Sequence, residues 1–306
     1  MYICLVNKPV NSAVQEISDA MLQKKRLRVF VMREDLLHDT ISGNKWRKLK
    51  YNIAHAKTKS YDTLVTFGGA YSNHIAATAA AGNEFGFSTF GFIRGESHQP
   101  LNPTLDFASR CGMELRYVSR VDYKNKNTPK FQEEHFKELK NFYLIPEGGT
   151  NSLAVKGCSE ILTDCTIDFD IVCCACGTGG TLSGLIHSLK LHQHAIGFPV
   201  LKGASFLNNY IDSQVSQSNW SLIEDYHFGG YAKVDSALVD FVNNFKRKHR
   251  IALDPIYTGK MMFGLWDLIE KDYFREDSKI IAIHTGGIQG IKGMNERLKN
   301  KDLQFL

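Results

Sequence analysis

At 306 residues, with 43% hydrophobic content, the chain is long enough for two compact lobes or one large α/β unit, and its composition excludes the disordered and collagen-like classes. Lys and Arg total 37 against 32 for Asp and Glu, a mild excess whose basic residues are interleaved with acids. The run Lys246-Arg247-Lys248-His249-Arg250 is not accompanied by a basic stripe with interleaved aromatics, so it reads as the solvated end of a helix and not as a nucleic-acid surface.

No apolar stretch reaches the length needed to span a bilayer, which argues against a membrane protein. Met1 to Asn11 lacks the basic, apolar and small-residue regions of a signal peptide. Seven cysteines, an odd number without framework spacing, fit a reducing cytoplasm.

Along the chain the pattern is strand, loop, helix, repeated. Thr63 to Phe67 reads as a buried strand ended by Gly68-Gly69, and the alanine-rich stretch Asn73 to Asn83 as a helix packed on a sheet. Ser88 to Ile93 is a second strand. Asn102-Pro103 caps and starts a helix that Cys111-Gly112 closes. Glu114 to Val118 is a strand, Pro129 to Lys140 an amphipathic helix, and Phe142 to Ile145 a short strand. After the junction Glu147-Gly148-Gly149-Thr150-Asn151 come a strand at Asp170 to Ala175, a helix at Thr181 to Lys190 and a strand at Ile196 to Leu201. Helices at Asp235 to Lys248 and Gly259 to Lys271, then a strand at Lys279 to Ile283, complete the series.

Alternating strands and helices predict an α/β fold of two lobes, each a mainly parallel twisted sheet covered by helices. The smaller lobe is expected at 54–152, and the larger, cofactor-binding one at 1–53 with 153–306. Lys50 to Ala54 would cross between them, with a ligand site in the cleft.

Four segments carry chemistry. In Ser42-Gly43-Asn44-Lys45-Trp46-Arg47-Lys48, Gly43 permits a tight turn, and neighbouring cations could keep Lys45 partly neutral for attack on an aldehyde. On composition alone the segment reads as a basic helix start with solvated lysines. Gly68 to His74 places Ser72 and Asn73 at a helix N-terminus, where they can cap the helix, contact a ligand, or do both.

Cys176-Gly177-Thr178-Gly179-Gly180-Thr181 lies between a strand and a helix, so its glycines, hydroxyls and helix dipole suit a phosphate. It has neither P-loop nor dinucleotide spacing, and a small phosphate monoester fits better than a nucleotide. The last segments are Asp254-Pro255-Ile256-Tyr257-Thr258 and Ile283-His284-Thr285-Gly286-Gly287, which offer a phenol and a hydroxyl or simply end their elements. Cys173 and Cys174 would point to opposite faces of a strand, so they read as packing residues and no metal site is expected.

Together and in this order, these segments resemble the 1-aminocyclopropane-1-carboxylate deaminase/D-cysteine desulfhydrase family, of the tryptophan-synthase-like fold type II pyridoxal 5'-phosphate enzymes. The resemblance runs from about Arg33 to Gly287 and includes Pro146 to Asn151. It reverses the composition-based reading of Lys45, which matches the Schiff-base lysine. It further implies that Asn73 contacts the cofactor ring oxygen and that Ser72, with His74 beside it, faces the substrate. Gly177, Thr178, Gly179, Gly180 and Thr181 match the phosphate cup. Thr285 matches the partner of the pyridine nitrogen, and Tyr257 and Tyr231 match active-site tyrosines.

The ring-opening deaminases of this family carry Glu after the tyrosine and Leu at the position of Thr285. The D-cysteine enzymes carry Thr at both, as here with Thr258 and Thr285. The resemblance therefore implies β-elimination from a small D-amino acid, with a homodimer as the assembly. The D-cysteine enzymes carry Gln where this chain has Tyr71. Cyclopropane deamination, a catalytically silent cofactor-binding homologue, and a dehydratase or synthase of L-amino acids are the alternatives.

Overall fold

The computed structural model describes residues 12–163 and 165–306; the expectation for Met1 to Asn11 therefore lies outside the described residues. The chain enters through β1 (Ala13–Glu16), the short helix α1 (Ala20–Lys24) and β2 (Arg28–Arg33), and β1 pairs antiparallel with β2. It then forms α2 (Asn44–Thr58), an unbroken helix that runs straight through Lys50 to Ala54. The stretch expected to cross between lobes thus lies within the body of a helix. Trp46, Leu49, Ile53 and Ala56 bury one face of α2 with Leu64, Ala77 and Ile145 of the second sheet region.

That region follows as β3 (Thr63–Gly69), α3 (Asn73–Phe85), β4 (Ser88–Arg94), α4 (Pro103–Arg110), β5 (Met113–Val118), α5 (Arg120–Lys124), α6 (Pro129–His135) and β6 (Phe142–Ile145). Its four strands are all parallel, in the order β5-β4-β3-β6. Asn102 caps α4 through the N–H groups of Thr104 and Leu105, with Pro103 in the first turn where no hydrogen-bond donor is missed.

The helix expected over Pro129 to Lys140 ends at His135 instead. Phe136 and Leu139 turn inward to join Phe67, Phe92 and Phe131, and this burial outweighs continuation of the helix.

The chain returns through α7 (Ser152–Ser159), which packs on α2, then β7 (Ile171–Cys176), α8 (Gly180–His187) and β8 (His194–Pro199). It continues with α9 (Phe206–Gln214), β9 (Trp220–Leu222), α10 (Ser236–His249), α11 (Thr258–Glu270), β10 (Lys279–Ile283) and α12 (Gly290–Leu298). These strands join the first two in a six-stranded sheet of order β1-β2-β10-β7-β8-β9, parallel except for β1.

Cys173 packs on one face of this sheet with Leu265 and Ile280, and Cys174 on the other with Leu182 and Ile281. The strand period separates the two thiols as expected. The run from Lys246 ends α10, with Arg247, Lys248 and Arg250 exposed. Among the described residues, no helix is long and apolar enough to cross a membrane. The carboxyl ends of β3, β7 and β10 lead into the starts of α3 and α8 and the turn before α12, and the functional segments lie on these ends.

Candidate active site

Gly43 determines how Lys45 is presented. Its φ of +63° is left-handed, and a Cβ there would lie 2.0 Å from the Thr285 carbonyl oxygen. Without a side chain, the start of α2 abuts the end of β10, and the Asn44 N–H donates to that same carbonyl at 3.2 Å. Lys45 and Thr285, 240 positions apart by number, thereby line one cavity.

Ser72, Asn73 and His74 line its second wall, and Gly177, Thr178, Gly179 and Thr181 its third, with Tyr257 above Gly177. Gly180 starts α8 immediately behind the cup, facing Thr150.

Lys45 is half-buried at the floor, and its Nζ donates to Asn44 Oδ1 at 2.9 Å. Asn44 Nδ2 in turn donates to Thr181 Oγ1 at 2.8 Å, which ties the amine to the cup. Burial, with the Lys48 ammonium adding repulsion, lowers the Lys45 amine from 10.5 to about 7. A neutral amine is therefore abundant at neutral pH, as condensation with an aldehyde requires.

Lys48 itself is buried, its Nζ donating to the Gly148 carbonyl at 3.0 Å and to Thr150 Oγ1 at 2.9 Å. The hydroxyls of Thr150 and Thr178 bond each other at 2.5 Å. A cation thus stands beside the glycine loop at the start of α8, where the helix N-terminus already favours an anion. Gly179 holds φ +81°, and a Cβ there would lie 2.7 Å from the Tyr210 ring, so this turn of the loop requires glycine.

On the opposite wall, Ser72 Oγ accepts from the Ile75 N–H at 3.3 Å and so caps α3. Gln289 Nε2 donates to Asn73 Oδ1 at 2.9 Å, leaving the Asn73 amide nitrogen to donate elsewhere. Thr66 Oγ1 donates to the Ile145 carbonyl, so it accepts from His74 Nε2–H at 2.8 Å. His74 Nδ1 then remains a buried acceptor without a protein partner among the described residues. Burial, and then the two lysines, hold this imidazole well below its ordinary pKa, in the neutral form.

Asp254 fixes the tyrosine segment. Its Oδ2 accepts the N–H groups of Ile256 and Tyr257 at 3.0 Å, and its Oδ1 accepts the N–H and hydroxyl of Thr258 at 2.7 and 2.8 Å. Thr258 is therefore spent on this cap, fully buried and outside the cavity wall, and substrate contact through its hydroxyl would require breaking the cap. Tyr231 stands behind Tyr257, with ring centroids 6.1 Å apart and planes at 69°. Burial, and then the Tyr231 neighbour, raise the Tyr257 phenol well above its usual value, so it keeps its proton.

Asn44, Lys48, Thr150, Asp254 and Gln289 were missed as site residues in the sequence. For Lys48 a signal existed: three residues after Lys45 on a helix, it shares the same face. The others are recruited by contacts between distant segments.

These groups fit pyridoxal phosphate. The chemistry of the set is a neutral amine, an anion-binding helix start reinforced by a buried ammonium, and an opposing hydroxyl at Thr285. Lys45 would hold the aldehyde carbon, Gly177 to Thr181 with Lys48 the phosphate, and Thr285 the ring nitrogen.

Comparison with known proteins agrees. The chain is 32% identical over 290 residues to a putative 1-aminocyclopropane-1-carboxylate deaminase of Pyrococcus horikoshii, covering 88% of this chain and 87% of that one. It is 30% identical over 294 residues to a bifunctional D-cysteine desulfhydrase/1-aminocyclopropane-1-carboxylate deaminase, mitochondrial, of Arabidopsis thaliana, covering 86% of this chain and 73% of the relative. A crystal structure described as an ACC deaminase homologue superposes with a TM-score of 0.83 at 26% identity over 98% of both chains.

A fungal L-serine ammonia-lyase from Rhizomucor miehei, at 14% identity, TM-score 0.63 and coverage of 91% and 94%, shares the fold. Residues 16–286 match the family model described as pyridoxal-phosphate dependent enzyme, and the chain belongs to that family, as a fold type II enzyme related to the 1-aminocyclopropane-1-carboxylate deaminases and D-cysteine desulfhydrases.

Proposed function

We propose that this enzyme catalyses β-elimination from a small D-amino acid, D-cysteine foremost, giving sulfide, pyruvate and ammonia. One observation carries the proposal: among the described residues no carboxylate lines the cavity, and the group available to the cofactor's ring nitrogen is the Thr285 hydroxyl. A hydroxyl leaves that nitrogen largely unprotonated, so the bound cofactor supplies a covalent handle and only a weak electron sink. Elimination suits this site because the departing group takes the electron pair that transamination would have to store.

The start of α3, with Ser72 and Asn73, offers donors to the substrate carboxylate. Lys45, or Ser72 on the facing wall, takes the Cα proton as the Cα–Cβ double bond forms and the Cβ–S bond breaks. Tyr257, which holds its proton, donates toward the leaving sulfur. Water then converts the released enamine to pyruvate and ammonia. A homodimer is proposed from the family resemblance, and a cytoplasmic location from six described cysteines that are free.

The names borne by the Pyrococcus relatives favour a second reading, cyclopropane ring opening. Paired assays decide between them. Pyruvate from D-cysteine, with little from L-cysteine and no 2-oxobutanoate from the cyclopropane amino acid, is the expected result. Turnover of the cyclopropane substrate without D-cysteine turnover overturns the proposal, as does cofactor binding without turnover of any D-amino acid.

A further inference from the structure

We propose that Lys260 is a positioning residue, whose buried ammonium ties the loop carrying Tyr231 to the helix carrying Tyr257 and so sets the phenol pair at the cleft. This rests on the lyase reading for what the phenols do, but the tie itself is visible without it.

Lys260 is 1% exposed, in the first turn of α11, three residues after Tyr257. Its Nζ donates to the His227 carbonyl at 2.8 Å and to the Gly230 carbonyl at 2.8 Å. The second carbonyl belongs to the residue immediately before Tyr231.

The loop needs an external tie. Phe228, Gly229, Gly230 and Ala232 have φ values of +55°, +86°, +119° and +54°, a region that Phe and Ala seldom adopt. Its own backbone–backbone turn bonds are Gly230 N–H to the His227 carbonyl at 3.0 Å and Lys233 N–H to the Gly230 carbonyl at 3.1 Å, with Gly229 N–H donating to His227 Nδ1 at 2.9 Å. Both of these carbonyls are the ones Lys260 also serves.

A methionine would fill the same space without placing an ammonium in the interior, so what the lysine adds is its donors. Burial lowers the Lys260 amine to about 8, while the carboxylates of Asp254 and Asp235 act in the opposite direction. Lys260 does not line the cavity, and it acts through the Tyr231 loop.

The test is a double-mutant cycle on the cofactor-loaded enzyme with Lys260→Met, Tyr231→Phe and the pair, followed by pyruvate release from D-cysteine and by cofactor absorbance. Lys260→Met is expected to lower kcat/KM by about tenfold or more, a part of the 10²–10⁴ typical of a positioned acid–base group, with the absorbance unchanged. In the Tyr231→Phe background the same change should cost less than about threefold, since the shared interaction is already lost. Equal factors in both backgrounds, or an unchanged kcat/KM, overturn the proposal.

Lys260→Gln, which retains an amide donor, should recover part of the loss and carries the same cycle if Lys260→Met does not fold. Hydrogen exchange supplies a readout free of turnover. Amides of 227–233 should lose protection in the Lys260 variants while those of 177–187 keep theirs. Retained protection at 227–233 overturns the tie. Protection lost in an enzyme without D-amino-acid turnover instead overturns the lyase reading and leaves the tie standing.

Discussion

Uptake of pyridoxal phosphate by the cofactor-free protein should switch on near neutral pH, because condensation requires the uncharged Lys45 amine. At pH 7 an ordinary lysine, with a pKa of 10.5, is neutral in about one molecule in 3,000, whereas a value of about 7 makes about half of the Lys45 amines neutral. The gain in reactive amine is therefore about 10³-fold at pH 7, and from about pH 8 upward it shrinks tenfold per unit.

The uptake rate, followed by stopped-flow absorbance from about pH 6 to about pH 10, should rise through an inflection near 7 and then flatten. Burial is the larger cause of the shift and Lys48 the second, so Lys48→Met should move the inflection upward by the smaller share. The sign for stability follows as well. The folded state binds fewer protons here between about 7 and 10.5, so at this residue the cofactor-free protein gains stability as pH rises through that window. An uptake rate still climbing above about pH 9 would refute the reasoning, because Lys45 would then be an ordinary solvated lysine.

Tyr257→Phe should lower kcat by about 10²-fold or more with cofactor absorbance intact, measured by pyruvate release; an unchanged kcat removes the phenol from the chemistry. Gly179→Ala forces an L residue to φ +81° and puts a Cβ 2.7 Å from Tyr210 Cδ1, so titration should show cofactor affinity weakened by about tenfold or more. Arg47→Met leaves Glu34, which is fully buried, without the guanidinium that meets it at 3.0 Å through both Nε and Nη2. Urea unfolding of the cofactor-free protein should show a loss of about 3–5 kcal/mol, and a loss under about 1 kcal/mol would mean the pair is dispensable.

The contrast between β7 and α2 shows what the sequence makes legible. Ile171 to Ala175 is a continuous apolar run between turn residues, so its strand and the glycine loop after it announce themselves locally. Helix α2 hides its burial, because Arg47, Lys48 and Lys50 read as solvated cations and are nevertheless buried. Their burial depends on Glu34, on Gly148 with Thr150, and on Glu160, partners that no window around residue 47 contains. The Thr258 cap is hidden for a related reason. It stands after Tyr257, where the resemblance marks the difference between the two enzyme types, while its hydroxyl is used four residues back on Asp254. The glycine loop before α8 was readable because glycines, hydroxyls and a helix start are adjacent in the chain. The groups that tune it were not, because they arrive from other segments.

Those tuning groups determine what the cleft can do with protons. Burial is the first cause both of the lowered Lys45 value and of the raised Tyr257 value, since it disfavours an ammonium and a phenolate alike. Around neutral pH the site therefore holds an amine that is about half uncharged and a phenol that keeps its proton in one cavity, the divergence of environments that assigns acid and base roles. The two shifts cannot be tuned independently of water. A change that wets the cleft must raise Lys45 and lower Tyr257 together, losing the neutral amine and the firmly held phenolic proton at once. Lys48 and Tyr231, each a second cause for one of the pair, allow separate adjustment: removing Lys48 relaxes the base alone, and removing the Tyr231 hydroxyl relaxes the acid alone.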